Sequence, residues 1–75
     1  MKTCMIRLST IQDVRTFVDI VTAANTDVDL SSGRYVVDAK SIMGIFSLDL
    51  LKPIQLSAHD EDPVMFERLR PFIVE

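Results

Sequence analysis

Cys4, Ile6 and Leu8 interleave with Thr3, Met5 and Arg7 at the start of the chain, the period-two pattern of a half-buried strand. The period then lengthens. Ile11, Val14, Phe17, Val18, Val21 and Ala24 recur at three- and four-residue spacings, with Arg15, Asp19 and Thr22 on the outer side, so an amphipathic helix is predicted. Ser9 and Thr10 precede it as cap candidates. Gln12 lies three residues after Ser9 and Asp13 three after Thr10, so either register offers a capping-box start; Asn25 is the expected stop. Val28 and Leu30, then Tyr35, Val37 and Ala39, alternate on either side of Ser31-Ser32-Gly33, which predicts a β-hairpin.

Between Ser41 and Leu48 the pattern changes again: a serine able to cap is followed by Ile42, Met43, Ile45, Phe46 and Leu48, apolar around much of a short helix. A helix this short cannot bury every side, so Ile42 or Met43 is expected at the surface. Pro53 stands at the permitted first position of a further alternating run, Ile54, Leu56 and Ala58. Asp62 as N-cap and Pro63 at the first helical position open a last helix, expected to carry Val64, Phe66, Leu69 and Ile73 and to be ended or kinked by Pro71. The order is βαββαβα. It predicts an α+β open-faced sandwich, a four-stranded, mostly antiparallel sheet covered on one face by three helices. No linker, repeat or low-complexity stretch interrupts it, so residues 1–75 are expected to form a single domain.

Composition narrows the function classes. At 75 residues the chain has room for one core and little for a deep active-site cavity, since a domain of this size buries only about 60% of its unfolded surface. The balance of 48% hydrophobic and 25% charged residues is that of a globular protein. Cys4 is the only cysteine, which excludes an internal disulfide and points to the reducing cytoplasm, with the thiol expected as a small, inert core group. Met1 to Leu8 contain no apolar leader, and nowhere do enough apolar residues run together to span a membrane. A net charge of −3 opposes attraction to a nucleic-acid backbone.

The stretch Val37-Asp38-Ala39-Lys40-Ser41-Ile42-Met43-Gly44-Ile45-Phe46-Ser47-Leu48 resembles the central segment of HPr, the phosphocarrier of the bacterial sugar phosphotransferase system. Its Ser-Ile-Met-Gly is similar to the Gram-positive type. The similarity runs in register back through the Gly33 turn to Phe17-Val18 and forward through Ser57-Ala58 to Glu61-Asp62, with a slightly shortened approach to the fourth strand. Asp49 and Leu51, where HPr commonly has glycines, and Pro71 depart from the pattern. The element order inferred from periodicity is also that of the HPr fold.

HPr carries a reactive histidine at the start of its first helix, followed after one residue by Arg-Pro. Counting back from Phe17 puts Thr10 at that histidine position, Gln12 at the arginine and Asp13 at the proline. A phosphohistidine needs an imidazole nucleophile and a cation to hold the anion, whereas Asp13 repels it. Histidine relay, and catalysis generally, are therefore not expected. The single histidine, His59, lies in the acidic run His59-Asp60-Glu61-Asp62; a solvated loop explains it better than a phosphoryl acceptor or a metal site, and neither metal nor cofactor is expected. For Ser41 the resemblance implies the serine that HPr kinase phosphorylates in Gram-positive bacteria. An unmodified cap is the competing explanation. In the family the exposed apolar residues of this helix dock partner proteins, which makes Lys40, Ile42, Met43 and Phe46 binding candidates, against the alternative that they are core.

The resemblance therefore implies a non-catalytic regulatory or protein-binding module, similar to the catabolite-repression paralogue of HPr that also lacks the histidine and binds a transcriptional regulator when serine-phosphorylated. Expected partners are proteins: HPr kinase, a transcriptional regulator or phosphotransferase-system components. Two rivals remain. One is a divergent phosphocarrier using Thr10 or His59 as acceptor; the other is a fold relic serving as an interaction domain in an unrelated complex.

Overall fold

A computed structural model describes residues 2–74. The elements are β1 (Lys2–Ile6), α1 (Ile11–Ala23), β2 (Val28–Ser32), β3 (Tyr35–Asp38), α2 (Ile42–Phe46), β4 (Ile54–Ala58) and α3 (Pro63–Leu69), followed by a 3₁₀ turn over Arg70–Phe72. The strands pair in the order β1-β4-β2-β3, antiparallel throughout. Register follows the alternation: Ile6 faces Ile54, Leu30 faces Leu56 and Val28 faces Ala58. All six are buried on the helix side, while Thr3, Met5, Asp29, Ser31, Gln55 and Ser57, one residue out of phase, line the uncovered side.

Val14, Phe17 and Val21 of α1 are fully buried against that inner face. Phe17 meets Phe72 edge to face, with centroids 6.4 Å apart and rings at 86°. Removing such a ring costs about 3–5 kcal/mol. Ile11 departs from expectation: it is 66% exposed, and burial along α1 begins at Val14. Two apolar faces compete in α3. Met65, Leu69 and then Phe72 are buried, at four- and three-residue spacing, whereas Val64 is 68% exposed and Phe66 half-buried. Tyr35 does share its side of β3 with Val37 and Ala39, but at the sheet's edge it is exposed.

Proline sets the end of the fold. Pro71 has no amide hydrogen to continue an α-helix, so α3 stops at Leu69 and the chain tightens into the 3₁₀ turn. Ile73 is consequently not helical; it bridges Ile6. The Arg7 amide donates to the Phe72 carbonyl at 2.8 Å and the Val74 amide to the Met5 carbonyl at 2.9 Å, so the C-terminal segment covers the outer edge of β1. The predicted helix of Ser41–Leu48 is real but shorter, with Ser41 as its cap and Ser47 and Leu48 in the turn that follows.

Candidate functional site

Thr10 is the N-cap of α1. Its Oγ1 accepts from the Asp13 amide at 3.0 Å, and the Asp13 carboxylate accepts in return from the Ser9 amide at 3.0 Å. This is a capping box with its return bond displaced one residue outward. The Asp13 and Ser9 amides are thereby engaged by the chain's own oxygens, and the Asp13 carboxylate adds a negative charge that disfavours a second anion at this helix start. Gln12 turns away from any ligand role and donates to the Thr16 hydroxyl at 3.3 Å.

Ser41 caps α2 in the same way, its Oγ accepting from the Gly44 amide at 3.2 Å. Gly44 sits in a close approach: a Cβ there would lie 3.2 Å from Ser41 Oγ and 3.2 Å from Val37 Cβ, so both would have to yield slightly. Asp38 shapes the approach. Its carboxylate accepts from the Lys40 amide at 2.8 Å and its carbonyl from the Ser41 amide at 3.0 Å. Ser41 is exposed and Lys40 half-buried beside it. Along α2, Ile45 is fully buried and Ile42 packs partly against the core, while Met43 is 77% and Phe46 43% exposed. Lys40, Ser41, Met43 and Phe46 thus share one continuous segment. Leu51, at 83% the most exposed large apolar side chain among the described residues, joins the surrounding loop, which Arg7 pins by donating to the Leu51 carbonyl at 3.2 Å.

His59 lies elsewhere. Its Nε2 sits 3.1 Å from Asp29 Oδ2, and Asp29 points to the uncovered side of the sheet, so the sheet separates this pair from α1 and α2. Cys4 is half-buried rather than core, because it sits on β1 at the edge of the inner face. Burial pushes its thiol pKa up, with the nearby Lys2 ammonium pulling weakly the other way. Among the described residues no group of three or more His, Cys, Asp or Glu converges on a metal-sized site, and no helix is long and apolar enough to cross a membrane. Periodicity alone did not find Thr26, the one buried polar residue among those described. Its hydroxyl accepts from the Asp60 amide at 2.9 Å and ties the loop after β4 to the loop before β2. A polar residue flanked by Asn25 and Asp27 reads as ordinary turn, so only its tertiary partner reveals it.

Among solved structures, HPr-C-His from Thermoanaerobacter tengcongensis superposes with a TM-score of 0.79 at 24% identity, over 95% of this chain and 89% of that one. The phosphocarrier protein HPr from Bacillus anthracis str. Ames gives 0.71 at 24% identity, over 96% and 93%. This is the HPr fold. Coverage is near-complete in both directions, so the likeness extends over the whole arrangement of sheet and helices in this chain. No protein-family model and no curated protein sequence matches the chain. The fold is thus shared with these HPr structures at 24% identity.

Proposed function

We propose that this chain is an HPr-like bacterial, cytoplasmic protein that binds other proteins without acting as a histidine phosphocarrier or an enzyme, and that phosphorylation of Ser41 regulates the binding. The observation that carries the reading is the contrast at the two caps. Thr10 and Asp13 occupy the start of α1, whereas Ser41 is an exposed hydroxyl beside Lys40 with Met43 and Phe46 presented next to it. A phosphate on Ser41 would meet the amides of the first turn of α2 and the Lys40 ammonium. Asp38 opposes it, so the phosphate's net effect is to favour a partner that brings arginines. Met43 and Phe46 supply adaptable apolar contact for that partner.

The test is intact-mass analysis after incubation with ATP and a Gram-positive HPr kinase. One added phosphate, absent from Ser41→Ala, supports the reading; no phosphate on the wild-type chain removes the regulatory mechanism. Incubation with phosphoenolpyruvate and the general phosphotransferase enzyme tests the rival carrier reading, and a label there, lost in Thr10→Ala or His59→Ala, would replace ours.

A further inference from the structure

The two edges of the sheet are treated differently. On β1 the segment Ile73–Val74 lies alongside and bonds to Met5. On β3 nothing in the described structure pairs with the outer side. An unpaired strand edge is a template for another strand, and proteins commonly blunt it with lysine, proline or a bulge. β3 is short, four residues ending in Asp38, but it contains no lysine, proline or bulge and presents Tyr35 at 69% and Val36 at 67% exposure.

Hydrogen-bond parity identifies which groups face outward. Ser32 pairs with Tyr35 across the two-residue turn at Gly33-Arg34, Leu30 pairs with Val37, and the Ala39 amide donates to the Val28 carbonyl at 2.9 Å. Alternate pairs in an antiparallel ladder exchange bonds, so Tyr35, Val37 and Ala39 bond inward to β2. Val36 and Asp38 therefore aim their amides at the free edge.

We propose that this edge is a self-pairing surface: β3 of one copy docks antiparallel on β3 of a second copy, joining two sheets across a two-fold axis at Val36. Centred there, the Val36 amide and carbonyl of each copy bond their counterparts, and the Asp38 amide reaches the other copy's Arg34 carbonyl. Side chains match in the same register. Val36 meets Val36, Tyr35 faces Val37 as an aromatic–β-branched pair, and Arg34 stands opposite Asp38 at both ends. Shifting by two residues in either direction preserves bonding parity but sets Arg34 against Val36 or Lys40, so the charges select one register. Asp38 also gains what its own sheet denies it, since its partner there is Asp29. A seam this short buries less than the roughly 1,600 Å² of a standard interface, and the pairing is accordingly weak and concentration-dependent.

Sedimentation velocity from micromolar to millimolar protein tests it, with circular dichroism confirming that each variant folds. Arg34→Asp alone and Asp38→Arg alone each place like charges opposite one another, and each is expected to associate at least about tenfold more weakly than wild type. Mixed together they restore opposite charges at both ends and form a heterodimer. Val36→Pro removes an amide that bonds no strand within the monomer, so it folds and stays monomeric. A wild-type chain that is monomeric throughout overturns the proposal, as does a dimer indifferent to Val36→Pro and to both charge reversals.

Discussion

At the start of α1 the Thr10 hydroxyl accepts from the Asp13 amide, and at the start of α2 the Ser41 hydroxyl accepts from the Gly44 amide. The local device is the same, a hydroxyl bonded to the amide three residues on. Its surroundings differ. Asp13 folds back onto Ser9 and leaves a negatively charged end, whereas Gly44 has no side chain to fold back and leaves Ser41 Oγ its single amide bond, with Lys40 next to it in the chain. The same cap bond therefore leaves two different surfaces, and the residue at the third helical position, Asp13 or Gly44, makes the difference.

The largest expected effect is all-or-none: Ser41→Ala loses the kinase-dependent phosphate, while Thr10→Ala keeps it, as read by intact mass. If Thr10→Ala also loses it, the two caps are not independent. Next in size, Thr10→Ala should lower unfolding free energy by about 1 kcal/mol in urea titration, the usual cost of a lost cap. Asp13→Ala is expected to lower stability by roughly 0.5–1 kcal/mol and, unlike wild type, to be stabilised by added inorganic phosphate. A wild-type chain equally stabilised by phosphate would break the contrast.

The fold was legible because its inner face obeys two clean periods, two in Ile54, Leu56 and Ala58 and three-to-four in Val14, Phe17 and Val21. The misjudged positions lie where periodicity underdetermines the face. Val64, Met65 and Phe66 are three consecutive apolar residues that fit two helical stripes, and only packing selects Met65. Ile11 fits its stripe but precedes Val14, where burial along α1 begins. Of the candidate site, the caps were visible as residue types at fixed spacing, and Met43 as surplus apolar surface on a short helix. The pairing of Asp13 with Ser9 rather than with Thr10's own amide was not, because spacing does not distinguish adjacent backbone donors. Nor was the Thr26 tie, which joins residues 34 apart in sequence.

The smallest effect serves as an internal control. Burial raises the Cys4 pKa, so the thiolate fraction is smaller in the folded chain and the thiol should alkylate with iodoacetamide more slowly than in urea. A folded pKa above the unfolded one stabilises the native state below the usual thiol range, and that contribution fades as pH rises through the raised value. A cap variant that leaves Cys4 slow has kept its fold; one that makes it fast has lost more than a cap.

Asp13 behaves, in effect, as a ligand delivered by its own chain. A carboxylate tethered four residues from the amide it engages has an effective concentration on the order of millimolar or higher. A free anion must outcompete that tether before it gains the Ser9 amide. The Ser9 amide is in this sense a site already filled from within, and dilution or dialysis cannot empty it; substitution of Asp13 can.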